Sequence, residues 1–258
     1  MIQRDLYLNR LADWREKHVI KVISGVRRCG KSTLLLQYIN LLKASGISDE
    51  QIVSINLEEP EFESLLDHHS LYEYIKKRLC KNKYTYVFID EVQQCKHFEK
   101  VIDGLFVKKH VDLFITGSNA HLLSGELATL LSGRYIEINM LPLSFAEYVA
   151  FTITDTRLAL NNYLRFGSFP YTAVIGTDAG MIKSYIDGIY NTILIKDIVL
   201  RTGTSDITIL ENIIKFLSHS IGSPISIKKI CDTINSSGRR ISFNTIDTYL
   251  RALTESFI

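Results

Sequence analysis

The chain has 258 residues, 46% hydrophobic and 22% charged, with a formal net charge of +2. This is the composition of an ordinary globular protein, one large domain or one plus a small one, and it excludes a disordered or fibrous chain. The near-neutral balance offers no bulk electrostatic case for nucleic acid, and no apolar run approaches a bilayer span.

Residues 3–17 alternate charge with Leu6, Leu8, Leu11 and Trp14, the pattern of a short amphipathic helix. Trp14 suits core packing better than base stacking. Val19 to Ser24 is a β-branched run that reads as a buried strand. Gly25-Val26-Arg27-Arg28-Cys29-Gly30-Lys31-Ser32 then fits G-x-x-x-x-G-K-[ST] at every fixed position, and Thr33 to Ile39 opens a helix. Glycines let such a loop wrap close to an anion and turn successive N–H groups inward. The helix start adds free N–H groups and the positive end of its dipole. Residues 25–33 are therefore the candidate phosphate cradle, with Lys31 for the β- and γ-phosphates and Ser32 as a ligand of Mg²⁺. The plainer alternative is a Gly-rich turn, which the flanking strand and helix disfavour. Cys29, in a ring of amides beside Lys31, is either a thiol of lowered pKa or a small filler.

The first long helix stops near Gly46. Ile52 to Leu57 is a second strand, followed by Glu58 and Glu59, which fit a solvated loop better than a water-orienting pair. Leu71 to Leu79 reads as a helix with Leu71, Tyr74, Ile75 and Leu79 on one face. Tyr84 to Ile89 is an apolar run ending in Asp90-Glu91. A run buried on both faces belongs inside a parallel sheet, and its C-terminal end points at the ligand crevice. Asp90 there suits the Mg²⁺ shell, and Glu91 suits activation of the attacking water.

Val111 to Ile115 is a fourth strand, ending in Thr116-Gly117-Ser118-Asn119. Thr116, Ser118 or Asn119 would read the γ-phosphate if this strand lies between the first and third; a helix N-cap is the other reading. Leu122 to Leu131 looks helical, and Arg134 opens a fifth strand over Tyr135 to Asn139. Arg134 either stabilises charge on a transferring phosphoryl group, its own or a neighbouring subunit's, or forms a surface ion pair.

After Pro142, Ser144-Phe145-Ala146-Glu147 has a capping-box pattern, and residues 143–204 turn helical, interrupted by Phe166-Gly167-Ser168-Phe169-Pro170. The expected division is a P-loop core over 1–142, a helical lid over 143–204 and a third module over 205–258. In the last, three short helices, with Ser-Ser-Gly-Arg-Arg before the third, read as a helix-turn-helix or winged helix. From Asp206 onward it holds six Lys/Arg against five Asp/Glu, thin for a DNA-binding face, so a protein contact is as good a reading. Cys29, Cys80, Cys95 and Cys231 have neither metal nor redox spacing, which with a polar N-terminus reads as reduced thiols and a cytoplasmic setting. The apolar last residues read as the cut end of a longer chain.

Taken as a set, residues 25–35, Phe-Ile-Asp-Glu-Val-Gln-Gln at 88–94, Ile-Thr-Gly-Ser-Asn-Ala at 115–120, Ser-Gly-Arg-Tyr-Ile-Glu-Ile at 132–138, Leu-Pro-Leu-Ser-Phe-Ala-Glu-Tyr at 141–148 and Phe-Gly-Ser-Phe-Pro at 166–170 carry a resemblance. They resemble the bacterial and archaeal AAA-type ATPases that pair an AAA domain with a DUF4143 region. The resemblance covers nearly the whole chain. It implies an α/β P-loop NTPase with a parallel sheet of order 5-1-4-3-2, a helical lid, a winged helix and a further nuclease-like region beyond this chain. It also places Arg134 at an arginine-finger-like position, which implies a homo-oligomer. Ser168 stands where a second glycine is expected, and Lys196 to Arg201 resembles the family's lid segment.

The expectation is an ATPase using ATP and Mg²⁺, with residues 25–33 as the cradle, Ser32 and Asp90 on the metal, and Glu91, Arg134, Ser118 and Asn119 as catalytic residues. The competing expectation is a nucleotide-gated interaction or DNA-binding module with slow turnover, its partner held by residues 205–258. A P-loop kinase lacks an acceptor site, and GTP lacks an Asn-Lys-x-Asp motif, since Asn82-Lys83-Tyr84-Thr85 has no Asp.

Overall fold

A computed structural model describes residues 2–118, 131, 133–152, 155–199, 207–236 and 241–257, with backbone only at 196 and 197. The chain divides into two compact units, residues 1–183 and 184–258. The expected helix at 122–131 lies mostly outside the described residues, as does Asn119.

The first unit is built on five parallel strands: β1 (Ile20–Ser24), β2 (Ile52–Asn56), β3 (Thr85–Asp90), β4 (Val111–Gly117) and β5 (Tyr135–Asn139). Their order is β2-β3-β4-β1-β5, as the resemblance implied. Every residue of β1 and β3 is buried, whereas edge strands β2 and β5 alternate, which is why the sequence of the central strands runs almost unbroken in Val, Ile and Phe.

Helices cover both faces. On one, α3 (His68–Lys76) and α4 (Phe98–Phe106) set Leu71, Ile75, Val101, Ile102 and Leu105 against Val22, Val87, Ile89 and Ile115. On the other, α1 (Asp5–Asp13) and α2 (Lys31–Ala44) set Leu8, Leu11, Leu34 and Tyr38 against Ile23, Phe88 and Phe114. Phe88 and Phe114 stack with centroids 4.7 Å apart. Each such buried side chain contributes about 1.5–3 kcal/mol. α3 begins three residues earlier than its apolar face indicates, because the Asp67 carboxylate accepts the His69 and Ser70 N–H groups. α1 stops at Asp13, and Trp14 lies 39% exposed rather than in the core.

After β5 the unit continues in α5 (Phe145–Thr152), α6 (Thr156–Phe166) and α7 (Pro170–Ile175). The capping box at Ser144 forms as expected, with Glu147 N–H on the Ser144 hydroxyl and Ser144 N–H on the Glu147 carboxylate. α8 (Ala179–Thr192) contains the division between the units. In the second unit a π-helical stretch over Ile193–Val199 precedes α9 (Ile207–His219), α10 (Ile227–Ser236) and α11 (Phe243–Glu255). Ile213, Ile230, Ile234, Ile246 and Leu253 are buried in this unit, and α10 packs on both α9 and α11. Three helices thus follow residue 206 among the described residues. The strands of a wing are absent among the described residues.

One buried charge pair lies on the α2 side of the sheet. Lys21 of β1 and Asp112 of β4 form an ion pair with neither side chain exposed to solvent. The Lys21 ammonium also donates to the Lys17 carbonyl at 3.0 Å, and Asp112 accepts the Glu16 N–H at 2.8 Å. Burial pushes the lysine down and the carboxyl up, against their mutual attraction. The pair thus fixes the turn between α1 and β1 onto β4. Breaking it one-sidedly strands a buried charge, so Lys21→Met is expected to cost about 3–5 kcal/mol in urea unfolding. Adding Asp112→Asn, which keeps an acceptor for Glu16, is expected to recover most of that loss. Strictly additive losses would show that the two charges do not depend on each other.

Candidate active site

The loop between β1 and α2 is shaped by two glycines. Gly25 has φ +150°, and a Cβ there would sit 2.2 Å from the Met140 carbonyl oxygen, so only glycine fits. Met140 is held in place by donating its N–H to the Ser24 carbonyl at 2.7 Å. Gly30, at φ +106°, is the N-cap of α2, and no side chain caps the helix. The open N–H groups of its first turn therefore face the loop. Arg28 adopts the left-handed conformation at the tip.

Lys31 is the first residue of α2 and is 4% exposed. Its ammonium donates to the carbonyls of Gly25 at 2.9 Å and Val26 at 3.3 Å, and lies 3.9 Å from the Glu91 carboxylate. The loop after β1 and the acids after β3 therefore meet at one end of the sheet. Arg27 turns away to pair with Glu58 at 3.1 Å, which gives that loop carboxylate a partner. Val26, half-buried, packs on the α2-side core, and Thr33 is half-buried in the first turn of α2.

Asp90 is the last residue of β3 and is buried. Burial raises its carboxyl above the usual range, while hydroxyl hydrogen bonds from Ser32 and Thr116 oppose the shift. Thr116 occupies the end of β4 and works twice. Its hydroxyl donates to Asp90 and accepts the Glu91 N–H at 3.0 Å. Glu91 has φ +53° and ψ +50°, left-handed for a non-glycine residue, and this turns its side chain back toward Lys31. Its Oε2 accepts the Ser118 hydroxyl at 2.9 Å and the Gln93 amide. Of the three residues proposed to read a γ-phosphate, Thr116 and Ser118 are thus in the acid cluster, and Asn119 falls outside the described residues.

Arg134 is not brought to this cluster. Its carbonyl accepts the Ile20 N–H at the start of β1, which places it at the opposite edge of the sheet. There it pairs with Asp103 at 2.5 Å and lies over the Phe106 ring. The thiol reading of Cys29 needs correction. The residue has no exposure, and burial raises its pKa more than Lys31 and Arg4 lower it.

One residue of the site carried no local signal. Arg4, 4% exposed, precedes α1 and donates to the Cys29 carbonyl in the loop at 3.4 Å and to the Leu141 carbonyl at 2.9 Å. It also pairs with Glu147 of α5 at 2.6 Å. A residue near the N-terminus thereby ties the loop to the segment after β5. Glu147 also lines a groove of about 1030 Å³ between α1, α5 and α6, with Leu6, Tyr7, Leu143 and Tyr163. On the other flank, a Cβ on Gly30 would come within 3.8 Å of Pro170 at the start of α7.

A five-stranded parallel sheet with a glycine loop after β1 and an acid pair after β3 defines a P-loop nucleoside triphosphatase fold of the AAA type. The chain belongs to the AAA_14 family, described as an AAA domain, whose model matches residues 17–149. Residues 157–258 match a domain of unknown function, DUF8612. An uncharacterized protein of Haemophilus influenzae is 38% identical over the whole chain, and one of Methanocaldococcus jannaschii is 32% identical over 93% of it. The chain spans 66% and 55% of the length of these two relatives. Among solved structures, the Walker-type ATPase of Pyrococcus abyssi superposes with TM-score 0.66 at 14% identity, over 99% of this chain and 90% of that one. The ORC2 protein of Aeropyrum pernix, in its ADPNP–ADP complexes, follows with TM-score 0.55 at 13% identity, over 98% and 83%. At these identities the likeness is one of fold. Among the described residues no helix is long and apolar enough to cross a membrane.

The cysteines give a direct check on the burial of the loop. Cys29 and Cys95 are buried, the latter with its thiol pushed up to about 11, whereas Cys80 and Cys231 are partly exposed. Alkylation at pH 8 followed by peptide mapping is expected to mark Cys80 and Cys231 well before the other two. Labelling of Cys29 as fast as Cys80 would mean an open loop or an activated thiol.

Proposed function

We propose that the chain binds ATP with Mg²⁺ at the C-terminal edge of its sheet and hydrolyses it. The observation that carries this reading is the 3.9 Å approach of the Lys31 ammonium to the Glu91 carboxylate. A phosphate-binding amine and a base then border one space, with Ser32 and Asp90 beside them. Membership of the AAA_14 family supports the same chemistry.

Ser32 and Asp90 fit Mg²⁺: they are hard oxygen donors on facing elements, and this ion binds through one or two such groups while keeping waters. When bound, it would neutralise charge on the β- and γ-phosphate oxygens. The loop N–H groups and the uncapped start of α2 hold the triphosphate, and Lys31 leaves the Gly25 and Val26 carbonyls to reach it. Water attacks the γ-phosphorus. Its P–O bond forms as the bond from that phosphorus to the β–γ bridging oxygen breaks, Glu91 takes the water's proton, and ADP and inorganic phosphate depart. Thr116 holds Asp90 and Ser118 holds Glu91, so each acid has a hydroxyl from the end of β4. Arg134, paired with Asp103 at the other edge, has no part in this chain's own site; a role at a neighbouring subunit's phosphates belongs to an oligomer.

A second reading, in which bound nucleotide gates contacts with a protein or DNA partner through residues 205–258, is favoured by one observation. The loop is linked to the segments after β5, since Arg4 bridges the Cys29 carbonyl to Glu147 and Pro170 lies 3.8 Å from where a Cβ on Gly30 would stand. A loop that moves on binding would move them too. Turnover measured with and without DNA separates the readings, since rapid hydrolysis unchanged by any partner argues against gating.

Lys31→Ala is expected to abolish binding of a fluorescent ATP analogue. Glu91→Gln is expected to keep binding within a few-fold but to lower turnover by about 10²–10⁴-fold, the usual worth of a general base. Hydrolysis by Glu91→Gln at the parent rate would remove Glu91 from that role.

A further inference from the structure

The two oxygens of the Glu91 carboxylate have different neighbours. Oε1 faces the Lys31 ammonium at 3.9 Å. Oε2 takes two hydrogen bonds, from the Ser118 hydroxyl at 2.9 Å and from the Gln93 side-chain amide. The same amide lies 3.3 Å from the Ser118 hydroxyl oxygen, so Glu91, Gln93 and Ser118 close a small ring. Gln93 is fixed from below by its backbone. It sits in a 3₁₀ turn over Val92–Gln94, with Gln94 N–H on the Glu91 carbonyl at 3.0 Å and Val92 fully buried in the core.

From this asymmetry we infer that Gln93 is a positioning residue for hydrolysis. Its amide clamps Oε2 so that Oε1 is the oxygen presented to the attacking water once Lys31 moves to the phosphates. The inference rests on the reading of Glu91 as the base. A carboxylate free to rotate about its last bond spreads its lone pairs over many directions. Two donors on one oxygen fix the plane and leave the other oxygen's lone pairs facing the phosphates. The amide is suited to this because it donates without adding charge beside Lys31. Packing does not explain its presence: Gln93 Oε1 is buried and meets no protein donor, an arrangement that costs stability. A buried polar group kept at a cost beside a candidate base is the pattern of a functional constraint.

The test uses steady-state hydrolysis and nucleotide binding by the full chain. Gln93→Ala is expected to lower kcat by about tenfold or more, with the ATP dissociation constant within about twofold, because only the orientation of the base is lost. Gln93→Met, which keeps the volume and removes the donor, supplies the readout that a packing role would not move: its kcat is expected to fall as in Gln93→Ala while its urea midpoint stays close to the parent's. A parent-like kcat in either variant overturns the inference. Failure of the underlying reading is seen separately, as a parent-like rate in Glu91→Gln.

Discussion

The glycine-loop end of the sheet depends on one insertion: β4 lies between β1 and β3. Two distant segments, the loop at 25–30 and the acids at 90 and 91, are thereby set one strand apart. The strand between them ends in hydroxyl residues that reach toward the acids, Thr116 to Asp90 and Ser118 to Glu91. A parallel sheet ends all its strands at one edge, so the loop, the acids and the hydroxyls open on the same space without any long-range adjustment. With β4 elsewhere, neither hydroxyl would lie between the two acids and the loop.

That edge collects several arrangements that stability alone does not favour. Asp90 and Glu91 are buried carboxylates, Glu91 has a left-handed backbone, and a glutamine oxygen is buried without a protein partner. Each is tolerable because the sheet beneath is packed on both faces, with Phe88, Phe114 and Tyr38 on one side and Val87, Ile89 and Ile115 on the other. The opposite edge also holds a buried charge pair, Lys21 with Asp112, but there both partners are matched and the effect is to fasten a turn.

Much of this was legible in the sequence, and the reasons differ by element. The central strands show as apolar runs because both of their faces are buried, and the loop shows because its glycines and lysine are fixed by backbone geometry and phosphate chemistry. α4 went unread although Phe98, Val101, Ile102 and Leu105 have helical spacing. It starts at His97, which is left-handed and makes no side-chain cap, so the usual start signal is missing. Arg4 was illegible for another reason: its partners at Cys29, Leu141 and Glu147 are remote in sequence, and nothing near residue 4 announces them. For Cys29 a lowered thiol pKa and a small filler both fit the sequence, because neighbouring charge is visible in a sequence and burial is not; its burial favours the filler. Arg134 left phosphoryl stabilisation and a surface ion pair both open, because the register of Ile20 with Tyr135, which sets it at the far edge of the sheet beside Asp103, is not visible in its own segment.

The central claim is that the loop at 25–32 and the acid pair at 90–91 enclose one triphosphate. A crystal structure of the chain with a non-hydrolysable ATP analogue and Mg²⁺ tests it most directly. The account predicts the phosphates between Lys31 and Glu91, the Lys31 amine moved from the Gly25 and Val26 carbonyls onto phosphate oxygens, and Ser32 and Asp90 beside the metal. Phosphates bound elsewhere, with Lys31 still on those two carbonyls, would contradict it.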